Sequence, residues 1–84
     1  MPRKKTAINH ALGAVIRSAR EQRGEGQGVF AARAEFDLGD YAAIERGEYR
    51  LTYLGLKRIA RALEIPAGEL IERAERDEPP GGSI

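Results

Sequence analysis

Residues 24–47 read GEGQGVFAARAEFDLGDYAAIERG, and this stretch decides the fold. It is too short and too polar to be a core by itself. Its apolar residues keep helical spacing on both sides of one interruption. Phe30, Ala31 and Ala34 come first, then a break at Glu35-Phe36-Asp37, then Leu38, Tyr41 and Ile44. The pattern predicts two short helices joined by a three-residue turn, a helix-turn-helix. Such an element serves chiefly to present its second helix to the major groove of DNA.

Helical periodicity continues on either side. Upstream, Ile8, Leu12, Val15, Ile16 and Ala19 predict a helix over about residues 7–23, with Thr6 as its N-cap and Gly24 as its stop. The second helix is expected near 27–34 and the third near 38–46. Asp37 is placed to accept from the free N–H groups of the third helix, and Gly47 to end it. Downstream, Thr52 caps a fourth helix whose buried stripe is Tyr53, Leu56, Ile59, Ala60 and Leu63. Pro66 suits the first turn of a fifth helix carrying Ala67, Leu70, Ile71 and Ala74 on one face. No strand pattern or internal repeat is present. The division is a basic arm at 1–6, a helical domain at 7–76 and a proline- and glycine-rich tail at 77–84 that is expected to be disordered.

Composition narrows the function. The chain has 84 residues, enough for one domain close to the lower size limit for an unstapled core. It has no cysteine, hence no disulfide framework and no thiolate metal site, which is compatible with a reducing cytoplasm. No apolar run approaches the ~18 residues of a membrane span, and the charged start Arg3-Lys4-Lys5 has no apolar region behind it to make a signal peptide. Fourteen basic residues against 13 acidic leave a net charge of +1, which by itself does not announce a nucleic-acid binder. Arg3, Lys4 and Lys5 make either a solvated tail or a DNA-contacting arm. Enzyme chemistry finds no foothold: His10 is the only histidine, Ser18 and Ser83 have no base nearby in sequence, and neither a phosphate loop nor a metal-ligand spacing is present. No cofactor is expected.

Gln27 opening the second helix, Ala31 in its middle and Ile44-Glu45-Arg46-Gly47 closing the third resemble the Cro/CI (Xre-type) helix-turn-helix family. Leu56 to Leu63 resembles the family's fourth helix and Glu69-Leu70 the start of its fifth. Over about residues 8–74 the resemblance implies an all-α, five-helix, lambda-repressor-like DNA-binding domain. The length and the stretch from Gly47 to Leu63 also resemble the small controller proteins of restriction-modification systems. The residue types have physical reasons. Ala31 suits a tight crossing of helices two and three, where a larger side chain would push them apart. Gln27 lies at a helix N-terminus, where phosphate is favoured. Glu45 lies late in a helix, where an acid opposes the dipole and needs a partner. The family pattern implies that this partner is Arg20, in a buried structural ion pair.

Carried over from the resemblance, the groove-facing residues of the third helix are Leu38, Gly39, Ala42 and Ala43, with Asp40 beside them. The first four offer no side-chain hydrogen bond, unlike the arginines and glutamines that normally discriminate bases. Leu38, Ala42 and Ala43 can touch thymine methyls, and Asp40 can accept from a cytosine amino group. Candidate phosphate contacts are Gln27, Arg46 and Arg50, with Lys57 and Tyr49 nearby. Two readings stand: a regulator that binds duplex DNA, or a protein-interaction module on the same scaffold that has lost sequence-specific binding. A homodimer is expected through Leu70, Ile71 and Ala74 of the fifth helix, unless these close the monomer's own core.

Overall fold

The computed structural model describes residues 7–77. The basic arm at 1–6, the Thr6 cap and the tail beyond residue 77 lie outside the described residues. Five helices follow one another: α1 (Ala7–Gln22), α2 (Gln27–Arg33), α3 (Leu38–Glu45), α4 (Tyr53–Leu63) and α5 (Ala67–Asp77). There is no strand among the described residues. The all-α, five-helix expectation therefore stands, with helix ends shifted by a residue or so.

The caps show what sets those ends. Thr52 accepts from Gly55 N–H through its hydroxyl at 3.0 Å, as expected. Asp37 does not cap with its carboxylate; only its backbone carbonyl accepts, from Tyr41 N–H at 2.9 Å, while the side chain stays in solvent. Pro66 lies just ahead of α5, its carbonyl accepting from the N–H groups of Glu69 and Leu70. Gly47 ends the α3 region with φ of +77°. Two non-glycine residues also take left-handed backbone: Glu35 (φ 66°) in the turn between α2 and α3, and Glu64 (φ 61°) at the end of α4.

Each helix contributes one fully buried large side chain to the core: Ile16, Phe30, Tyr41, Ile59 and Leu70. The rings of Phe30 and Tyr41 meet with centroids 5.2 Å apart, so aromatic contact joins α2 to α3. Ala31 is buried at that junction, as its size suggests. The broadest packing in the molecule is α1 on α5, followed by α1 on α3. Leu70 and Ala74 supply the α5 side of the core and are wholly buried. Their assignment to a dimer interface is therefore corrected: they close the monomer, packing α5 onto α1. Ile71 alone of the three remains partly accessible, at 36%. Tyr53, expected in the buried stripe of α4, is corrected as well: it opens the helix and is exposed, while Leu56, Ile59, Ala60 and Leu63 are buried.

Candidate nucleic-acid interface

The site begins with what holds α3 in place. Gly13 of α1 lies against the end of α3 so closely that a Cβ there would sit 2.4 Å from the Ile44 carbonyl oxygen and 2.6 Å from that of Glu45. Only glycine permits this approach. Gly47 closes the contact from the other side, where a Cβ would lie 2.8 Å from the His10 Cα.

Next to this crossing, Glu45 is the centre of a buried polar network. Arg20 Nε donates to Glu45 Oε2 at 2.7 Å and Arg20 Nη2 to Oε1 at 3.1 Å, a two-point contact between α1 and α3. The Tyr41 hydroxyl donates to Oε2 of the same carboxylate. Gln27 Nε2 donates to Oε1 at 2.9 Å, and Arg20 Nη1 donates to the Glu25 carbonyl at 2.7 Å. Both Arg20 and Glu45 are buried. Burial alone pushes the Glu45 carboxyl upward, but hydrogen bonds from Arg20, Tyr41 and Gln27 outweigh it and hold the group below its ordinary value. The Arg20 guanidinium is pushed up by its hydrogen bonds to Glu45. Burial, then the bond to Glu45, push the Tyr41 phenol up. Ionised Arg20 and Glu45 with neutral Tyr41 is thus the resting state across the neutral range.

The turn before α3 has its own clamp. Arg58 of α4 donates through Nε to the Ala34 carbonyl at 3.2 Å and through Nη2 to the Glu35 carbonyl at 3.3 Å. Its guanidinium also lies 4.3 Å from the centroid of the Phe36 ring. The strained Glu35 backbone is therefore held between the end of α2 and the side of α4. Arg33 likewise ties α2 to the Ala62 carbonyl at 2.9 Å while pairing with Glu25.

The opposite face of α3 is turned to solvent. Leu38 is 52% exposed, Gly39 and Asp40 are exposed, and Ala42 and Ala43 are half-buried. Around them, Arg46 is exposed but donates to Glu48 Oε1 at 2.9 Å. Arg50 is exposed and makes no ion pair with a described residue. The Lys57 ammonium rests 5.5 Å from the centroid of the Tyr53 ring. Tyr49 is half-buried with its ring edge-on to Phe36, so it covers the core margin. Gln27 departs from the phosphate role expected of its side chain, because its amide nitrogen is turned inward to Glu45. The sequence reading missed Gly13 and Arg58. Gly13 has a visible signal, a glycine inside a strongly periodic helix. Arg58 has none, since its partners are backbone carbonyls.

Among the described residues no group of three His, Cys, Asp or Glu side chains can hold a metal ion, and no helix is long and apolar enough to cross a membrane. No family sequence profile matches the chain, and no curated protein sequence is significantly similar to it. Solved structures do match. The clp gene regulator ClgR from C. glutamicum superposes with a TM-score of 0.83 at 22% identity, covering 93% of this chain and all of that one. The restriction-modification controller protein C.AhdI from Aeromonas hydrophila gives 0.74 at 26% identity, covering 76% of this chain and 97% of its own. A tyrosine-to-phenylalanine variant of the controller protein C.Esp1396I gives 0.79 at 23%, covering 88% and 94%. The fold is that of helix-turn-helix regulators, the controller proteins among them, which is the resemblance read from the sequence.

Proposed function

We propose that this chain is a non-enzymatic, cytoplasmic transcriptional regulator of the Cro/CI type, which binds duplex DNA by placing α3 in the major groove. The observation that carries this reading is the division of α3 into two faces. One face is locked to α1 and α2 by Glu45, Tyr41 and Gly13. The other leaves Leu38, Gly39 and Asp40 exposed and Ala42 and Ala43 half-buried. Arg50 supplies a phosphate contact from the loop before α4. The backbone N–H of Gln27, at the start of α2, supplies a second. Arg46 contributes only after leaving Glu48. The protein acts as a homodimer, with two copies of α3 about one DNA turn, ~34 Å, apart. With Leu70 and Ala74 inside the monomer, the surface for the second copy includes Tyr53 and Leu54 of α4, 68% and 71% exposed.

Selection of bound sequences from random duplex DNA, at low and at physiological salt, tests the reading. An enriched palindrome is the expected result, and Arg50→Ala should then reduce the slope of log affinity against log salt by about one. Absence of binding at low salt rejects it. That result favours the second reading, a protein-interaction module, which has its own support: the outer face of α3 lacks a hydrogen-bonding reader and is flanked by Asp37, Asp40 and Glu48.

A further inference from the structure

Arg58 reaches from the side of α4 to the end of α2, where it meets two backbone carbonyls and one aromatic ring at once. Its Nε and Nη2 donate to the carbonyls of Ala34 and Glu35, and the guanidinium stands 4.3 Å from the Phe36 centroid. Carbonyls at a helix C-terminus lack helical donors, so the two hydrogen bonds by themselves serve α2. The ring takes the contact further. Phe36 is half-buried and meets the edge of Tyr49, with centroids 6.4 Å apart and planes at 88°. It also lies on Gly55 of α4, where a Cβ would be 3.3 Å from Phe36 Cζ and 3.0 Å from Leu51 Cδ1. Tyr49 and Leu51 are the two chain neighbours of Arg50. Both are half-buried, while Arg50 is exposed. Arg50 is thus carried between two residues anchored beside the Phe36 ring.

We propose that Arg58 is a positioning residue for DNA binding, which fixes Phe36 and, through that ring, the place at which Arg50 meets the phosphate backbone. The proposal rests on the DNA-binding reading and adds a residue that acts on the site from α4. Arginine suits this role and lysine does not. A planar guanidinium donates from its edge to two carbonyls while one face lies on a ring. An ammonium has neither the fork nor the face. The Glu35 backbone, left-handed at φ 66°, is held by the same contact, and a non-glycine residue keeps that conformation only where its surroundings enforce it. Turn, ring and loop therefore form one unit. Holding Arg50 in place before DNA arrives lowers the ordering cost of its contact.

The experiment is a double-mutant cycle on DNA affinity, using the full chain and a duplex enriched from a random pool at low salt. Affinities are read well below the Tm of each variant, with folding checked by circular dichroism. Arg58→Ala should weaken binding and reduce the slope of log affinity against log salt by up to about one, the change expected of Arg50→Ala. In the Arg50→Ala background the same substitution should have no further effect. Arg58→Lys should behave as Arg58→Ala does, although it keeps the charge. Additive losses, with lysine restoring the slope, overturn the proposal, because Arg58 would then meet a phosphate itself. A fall in Tm with affinity and slope unchanged also overturns it and leaves Arg58 as a clamp on α2 alone. Should Arg58→Ala fail to fold, Phe36→Leu carries the cycle, since it keeps an apolar side chain and removes the ring. Its effect on binding should likewise vanish in the Arg50→Ala background, and additivity there rejects the coupling. If no duplex binds at low salt, the DNA-binding reading itself fails and the inference falls with it.

Discussion

The inner and outer faces of α3 obey different rules, although the helix is only eight residues long. On the inner face every group has a partner: Tyr41 meets Phe30, Ile44 and Glu45 back onto Gly13, and the Glu45 carboxylate accepts from three side chains. On the outer face Leu38, Gly39 and Asp40 make no comparable contact. Packed and exposed residues thus alternate on one short helix. Substitutions inside should unfold the domain, and substitutions outside should leave it folded and change what it binds.

The largest expected effect comes from Glu45. Glu45→Ala strands the buried Arg20 guanidinium and leaves the Tyr41 hydroxyl and the Gln27 amide without an acceptor. Breaking one side of a buried ion pair costs about 3–5 kcal/mol. A urea titration measures it, and a loss under ~1 kcal/mol, the range of exposed pairs, would remove Glu45 from the centre of the inner face. The same group makes stability depend on acid. Its folded-state carboxyl titrates below the ordinary 4.5. Its contribution is therefore complete above that value and is lost as pH falls through the depressed one. Glu25, held down by its hydrogen bonds from Arg33, adds to the same trend. Glu45→Gln should flatten the acid limb of the stability curve, and an unaltered limb would assign it to other carboxylates.

Gly13→Ala comes next. The new methyl would sit 2.4 Å from a backbone oxygen, and backbone cannot turn aside as a side chain can. Overpacking of this kind costs about 1–3 kcal/mol, against roughly 1 kcal/mol gained in helix propensity. A net fall in Tm is expected. The same substitution at Gly39 should raise Tm, so opposite signs at two helical glycines report directly which face each occupies.

Most of the core was legible in the sequence because packing imposes periodicity. Phe30, Ala31, Tyr41, Ile44, Ile59 and Leu63 all fall on the stripes read for their helices and are buried. Glu45 was legible for a different reason: an acid near a helix C-terminus demands compensation. The errors share a cause as well. Leu70 and Ala74 form an apolar stripe whether the neighbouring surface is α1 or a second chain, and periodicity does not name the neighbour. Arginines were harder still. Arg23, Arg33 and Arg58 donate to the carbonyls of Leu63, Ala62, Ala34 and Glu35, so much of the positive charge counted in the sequence is engaged in holding helix ends. Glu35 was read as part of a break, but its left-handed backbone was not, since nothing about glutamate announces it.

The smallest expected effect sharpens the comparison most. Leu38 begins α3, and half its surface is open to solvent. In an inner position, Leu→Ala would cost about 2–5 kcal/mol through lost burial and a residual cavity. At Leu38 there is no cavity to leave, and alanine is at least as good a helix former. Leu38→Ala should therefore change stability by no more than ~0.5 kcal/mol, the usual range for surface sites. Chemical denaturation with unchanged m reads the difference cleanly, because an altered m would signal a change in compactness rather than a local one. A loss above ~1.5 kcal/mol would show that Leu38 belongs to the packed structure, and the outer face would then begin at Gly39. A neutral result places Leu38 with Gly39 and Asp40 on the outer face, where a substitution leaves the packed structure unchanged.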